Sequence, residues 1–345
     1  MKILLIATAF MLVSSCSNNT YNSKIKTLKD TIKITDSATV IKYANTITAS
    51  ELKDLLYIFA GPEFEGRATG EEGQKKASNF LKSYYQKQTI SSPINDSVYY
   101  QYIPKGYFKG DINASENVLA YIKGSEKPEE VLIISAHYDH LGIKDNHIYF
   151  GADDNGSGTV ALLEIAQAFK IAEKDGFSPK RSILFIHLTA EEIGLEGSRF
   201  YTENPVFPLN KTIANLNIDM IGRIDEIHEN NPNYLYLIGA DRLSKELHAL
   251  SEKVNETFFN ITLDYRYNDE NDRNKYYFRS DHFNFAKHNV PVIFYFNGAH
   301  DDYHKPTDTI DKIDYALLEK RAQLIFATAW QLANRKNKLI LNKSI

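Results

Sequence analysis

The chain has a single cysteine in 345 residues, so no intramolecular disulfide can form. Whatever it folds into must be held by its core or by metal. Positive charge is not in excess: 40 Lys and Arg stand against 44 Asp and Glu, a net charge of −4. No basic patch with interleaved aromatics is present, which argues against nucleic acid or an anionic membrane surface as partner. No internal repeat appears. The apolar stretch Ile3–Val13 is too short to cross a bilayer as a helix. What remains is an ordinary globular composition, 43% hydrophobic and 24% charged, long enough for a sizeable core.

Lys2 followed by Ile3–Val13 has the form of a signal peptide, expected over residues 1–15. Val13-Ser-Ser-Cys16 then resembles a bacterial lipobox, with cleavage before Cys16 and lipid on its sulfur. That reading implies an exported lipoprotein, held at the periplasmic face or the outer membrane through Cys16. Residues 16–49 are rich in Ser, Thr, Asn and Lys and read as a flexible tether, with weak strand content around Thr39–Tyr43.

From residue 50 to 337 no linker breaks the pattern, and one domain is expected. Val131–Ala136 and Ser182–Leu188 read as strands buried on both faces; Thr212–Ile218, Tyr234–Ile238 and Val290–Phe296 follow. Helical spacing marks Ser50–Phe59, Glu72–Gln86, Gly158–Ala172, Arg242–Asn255 and Tyr315–Arg335. Strands alternating with helices predict an α/β fold with a mixed, centrally parallel β-sheet flanked by helices on both faces. In such sheets ligands bind outside the carboxyl ends of the strands.

Acids and imidazoles cluster there. His137-Tyr-Asp139 follows one strand, Glu191-Glu192 the next, Asp219 a third, and Asp301-Asp-Tyr-His304 a fourth. Gly151-Ala-Asp-Asp-Asn-Gly-Ser-Gly158 leads into a helix. Each has a plain explanation when taken alone: a hydrogen-bonded loop histidine, a turn, a solvated acid pair. Together they place much negative charge at one sheet edge, with no matching Lys or Arg in those segments. A divalent cation is the simplest neutraliser. Imidazoles and carboxylates without thiolate suit Zn²⁺, and five ligands exceed what one catalytic zinc takes, so two ions are expected.

The same blocks, with Glu63-Phe-Glu-Gly-Arg67 and Glu191-Glu-Ile-Gly-Leu-Glu-Gly-Ser198, resemble the M28 family of di-zinc aminopeptidases, in the family's order. The resemblance implies a metallo-aminopeptidase acting on peptide substrates. It implies metal ligation by His137, Asp154, Glu192, Asp219 and His304, with Asp154 bridging two ions. Asp139 would orient His137 by accepting its other ring N–H, Glu191 would be the general base, and Tyr303 would steady the oxyanion. His140 reads as an exposed loop histidine. Asp281-His282 reads as a loop pair behind the ligands, and Asp153 and Asp302 as a helix start or surface charge. The stretch Arg223–Arg279 is longer and more polar than the chemistry needs and is expected to supply a rim, with Tyr276–Phe278 able to stack on substrate. Two alternatives lie on the same fold. Glutaminyl cyclases use a single zinc and place Trp before the last metal His, where this chain has Tyr303. Metal-free receptor relatives lose ligands, and none is lost here.

Overall fold

The computed structural model describes residues 23–342 apart from Asp96. The expected signal segment and Cys16 lie outside the described residues. Ten strands occur among them: β1 (Tyr100–Ile103), β2 (Ser115–Ile122), β3 (Lys127–His137), β4 (Ile143–Lys144), β5 (His147–Ile148), β6 (Arg181–Leu188), β7 (Thr212–Ile218), β8 (Tyr234–Ile238), β9 (Thr262–Asp264) and β10 (Val292–Phe296). Eight form one sheet in the order β1-β2-β6-β3-β7-β10-β8-β9, and β4 and β5 make a separate hairpin. The central four, β6-β3-β7-β10, pair in parallel. β2 joins β6 and β8 joins β10 antiparallel. The mixed sheet with a parallel centre is the one the alternation of elements predicts.

Strands buried on both faces need apolar residues of both parities, and β3 supplies them. Leu132, Ile134 and Ala136 pack into one core with Leu318, Ile325 and Trp330 of the helix Tyr315–Asn334 and Leu163 and Phe169 of the helix Gly158–Lys174. Val131 and Ile133 face the other way, into a smaller core with Tyr201 and Phe285 from two short helices, Glu196–Glu203 and His282–Lys287. Two-faced cover is why the parallel strands read as nearly unbroken apolar runs. No helix among the described residues is long and apolar enough to cross a membrane.

The expected tether is corrected from its middle onward. Ser37–Ala44 is a helix, not strand, and 23–31 are helical as well. Val40, Tyr43, Ala44 and Ile47 follow helical spacing and are fully buried in the main core. The Tyr43 ring stacks on Trp330 at 5.9 Å. Burial of such side chains stabilises by about 1.5–3 kcal/mol each, which a solvated tether would forgo. The polar residues that suggested disorder are those on the helix's outer face.

Candidate metal centre and active site

The carboxyl ends of β3, β6, β7 and β10 meet at one edge of the sheet. His137 ends β3, Glu191 and Glu192 follow β6, Asp219 follows β7, and Tyr303 and His304 lie in the loop after β10. Asp154 comes from the loop before the helix Gly158–Lys174, and that loop is stitched down on several sides. Gly151 adopts φ +54, and a Cβ there would meet the Asp154 carbonyl at 2.2 Å. The Asn155 amide donates to the Ile218 carbonyl at 2.9 Å, and its oxygen accepts from the backbone N–H groups of Gly158 and Met220. Arg67, fully buried, donates to the carbonyls of Phe59, Tyr138, Phe150 and Gly151. Asp308 accepts the N–H groups of Asp153 and Asp154. Backbone groups that a buried loop would leave unpaired are thus satisfied, and the Asp154 side chain is fixed.

Asp154 divides its two oxygens between two sets of donors. Oδ1 lies 3.4 Å from His137 Nε2, which is 3.3 Å from Asp219 Oδ1. Oδ2 lies 3.1 Å from His304 Nε2, which is 3.2 Å from Glu192 Oε2. A tetrahedral zinc with bonds near 2.0–2.1 Å holds its donors about 3.3–3.4 Å apart, longer than a direct ion-pair hydrogen bond of about 2.8 Å. The spacing of these imidazoles and carboxylates therefore fits zinc. Groups that could hold a metal are His137 with Glu191 and Asp219, and His140 with Asp154 and Glu192.

Electrostatics point the same way. Burial opposes the charge on His137, yet Asp219, Glu191 and Asp154 lift it well above the ordinary imidazole range. Burial likewise opposes His304, and Asp154 and Glu192 raise it to about 10. Burial works against the Asp154 charge, but hydrogen bonds from His137 and His304 hold that carboxyl far below its usual range. The site thus draws protons onto its imidazoles for want of positive charge, and a divalent ion would displace them. One cation does sit behind the cluster: Arg67 feels Asp154, Asp308, Asp139 and Glu192. It comes from outside the segments that carry the acids. One guanidinium does not balance Asp139, Asp154, Glu191, Glu192 and Asp219.

Several expectations change. Asp139 is buried beside His137, but the imidazole Nδ1 meets its backbone carbonyl at 3.2 Å, while the carboxylate stands 3.8 Å away. That carboxylate accepts instead from the Thr69 hydroxyl at 2.9 Å and from the N–H groups of Glu191 and Glu192 at 3.1 and 3.4 Å. Asp139 therefore positions the glutamate pair. His140 is not an exposed loop residue: it is buried, and Nδ1 meets Glu192 Oε1 at 2.6 Å. Asp153 is no surface charge either, being fully buried and accepting from Ser157 and Gly222. Asp302 pairs with Arg223 and Lys312. Asp281 and His282 are both fully buried, and neither falls in a candidate metal group among the described residues.

Glu191 and Tyr303 line a pocket against Asp154 and Asp219, walled by Met220, Tyr276, Phe294 and Phe296 with Arg279 beside them. Desolvation pushes the Glu191 carboxyl well up; His137 pulls against it, and Asp219, Glu192 and Asp281 add to it. Desolvation, with Asp154 and Glu192, also raises Tyr303, which stays a protonated donor. The sequence reading missed Ser280, whose hydroxyl donates to Asp219 Oδ2 at 2.6 Å, and the roles of Arg67, Thr69 and Asp308. Asp308, an acid four residues beyond His304, carried a signal that could have been read, as did Arg67 at the end of the block Glu63-Phe-Glu-Gly-Arg67.

The chain is similar to several known proteins. Aminopeptidase YwaD of Bacillus subtilis (strain 168) is 26% identical over 240 residues, 65% of this chain and 46% of that protein. The chain spans about half or less of the length of the curated relatives it matches. Among solved structures, the Legionella pneumophila LapA aminopeptidase superposes with a TM-score of 0.68 at 21% identity, covering 88% of this chain and 77% of that one. The Bacteroides thetaiotaomicron glutaminyl cyclase gives 0.66 at 18% identity, covering 82% and 98%. Such likenesses establish the shared fold. The family model for peptidase family M28 matches residues 117–329, from β2 into the last helix, and the chain belongs to that family.

Proposed function

We infer that the chain is a zinc-dependent aminopeptidase that releases N-terminal residues from peptides. The observation that carries this is Asp154, with one oxygen 3.4 Å from His137 and the other 3.1 Å from His304. A carboxylate so placed would serve two cations. His137 and Asp219 would hold one ion, Glu192 and His304 the other, and Asp154 would serve both. Bound zinc supplies a Lewis acid for the peptide carbonyl and makes its water more acidic.

The chain's own residues do the rest. Glu191 faces the pocket with its proton affinity raised, so it takes the proton from the attacking water and hands it to the leaving amine. Asp139 holds the backbone of Glu191 and Glu192, fixing the base relative to the ligand beside it. The Tyr303 hydroxyl lines the same pocket as a neutral donor, suited to a developing oxyanion. A digest of a peptide library with the zinc-loaded protein, read by mass spectrometry, tests the reading. Release of single N-terminal residues supports it. Pyroglutamate from peptides with N-terminal glutamine, without hydrolysis, favours a glutaminyl cyclase on this fold.

The proposal for location is an exported lipoprotein anchored through Cys16, supported by the Val13-Ser-Ser-Cys16 sequence. Cys16→Ser is expected to move the protein from the membrane to the soluble fraction; unchanged fractionation contradicts the anchor.

A further inference from the structure

The pocket against the metal centre contains one cation with no acid to answer it. Arg279 lines it together with Tyr276, Phe294, Phe296, Met220 and Tyr303. Among the described residues Arg279 enters no ion pair. Its guanidinium lies 4.9 Å from the centroid of the Tyr276 ring and reaches the Tyr303 hydroxyl with one N–H at 3.5 Å. That leaves most of a planar fork of donors, whose geometry matches a carboxylate, unpaired on an exposed side chain. Its backbone is firmly placed. The next residue, Ser280, accepts from the Asn217 amide at 2.8 Å and donates to Asp219 at 2.6 Å, so the segment is tied to the metal centre itself.

We propose that Arg279 is a specificity-determining residue that binds a carboxylate of the peptide substrate. The inference rests on the peptidase reading of this site. The surroundings favour an anionic group over a neutral one. The aromatic walls offer no competing charge, while the acids of the pocket, Asp154, Glu191 and Asp219, belong to the cluster that would hold metal. A peptide that crosses from those acids toward Arg279 carries its positive amine at one end and meets a positive charge at the other. Two parts of a peptide could present the carboxylate: the side chain of an acidic first residue, or the free C-terminus of a dipeptide. Either would make a charge-assisted, two-point contact that an amide cannot reproduce.

Two substrate pairs test this on the zinc-loaded protein. The first is Ala-Ala against its C-terminal amide. The second is a tripeptide amide beginning with Glu against one beginning with Gln. The expected result is a kcat/KM preference of about tenfold for the carboxylate member of one pair, as suits a partly solvated ion pair. The preferred pair identifies the source, and in Arg279→Met the ratio falls to near one. A ratio below about threefold in both pairs, or a preference that survives in Arg279→Met, overturns the inference and leaves the peptidase reading standing. Hydrolysis of none of the four peptides overturns the peptidase reading and the inference with it.

Discussion

Asp308 receives the backbone N–H of Asp154 on Oδ2 at 3.1 Å, from a side chain that is itself fully buried. The placement of Asp154 therefore depends on an acid that touches neither set of donors. Asp308→Ala leaves buried N–H groups of Asp153 and Asp154 without their acceptor, at a cost of about 1–3 kcal/mol each. Lower stability in urea is expected, together with a 10–100-fold loss of zinc affinity by competition with a chelator. Asp308→Asn keeps one acceptor oxygen and should lose less of both. Unchanged affinity in the alanine variant would remove Asp308 from this role.

Glu191 sits in one candidate metal group with His137 and Asp219, so its part as base rather than ligand is a sharp question. Glu191→Gln is expected to lower kcat by about 10²–10⁴ with zinc content unchanged. Loss of a zinc from the purified variant would make Glu191 a ligand.

Glu192 meets two imidazoles, His140 on Oε1 at 2.6 Å and His304 on Oε2 at 3.2 Å. The first distance is that of a hydrogen bond, and the second is wide enough for an ion to lie between the two groups. His304→Ala should reduce bound zinc from two ions to one, measured by elemental analysis. His140→Ala should keep both and weaken them. The reverse pattern would exchange the two assignments.

His282 is buried between Phe294 and Tyr277, and burial lowers its pKa to about 3. An unfolded imidazole titrates near 6.5, so the unfolded chain takes up the proton first. The contribution of neutral His282 to stability is complete above about pH 6.5 and is lost progressively as pH falls toward 3. His282→Phe removes that proton uptake. The fall in unfolding free energy between pH 7 and pH 5 should shrink by about 2 kcal/mol in urea titrations. An unaltered difference would show that His282 does not drive the acid sensitivity.

The sheet was legible where strands carry apolar residues of both parities, as in Val131–Ala136, because two-sided burial leaves nothing else for the period to encode. The short strand Thr262–Asp264 and the short helix His282–Lys287 were not, since so few residues carry no clear period. At the site, the acids and imidazoles were legible because their types and positions after strands have few other uses. What supports them was not. Arg67 works through four carbonyls, and a contact with backbone leaves no mark on the partner's sequence. His140 looked exposed because a polar residue in a loop usually is, and only packing shows its ring behind Glu192. The helix Ser37–Ala44 was hidden by its polar outer face, although Val40, Tyr43, Ala44 and Ile47 carry its period.

That helix, with the helical residues 23–31 before it, would set how far a lipid-anchored form of the chain could stray from a bilayer. Lys29 is paired with Glu252 and Glu256, and Ile25 is buried, so the chain is fastened to the body of the protein almost from its first described residue. If Cys16 carries lipid, six residues, 17–22, separate the anchor from that body. At about 3.5 Å per residue their reach is at most about 20 Å. Held in that way, the proposed peptidase would work within a few nanometres of the membrane surface.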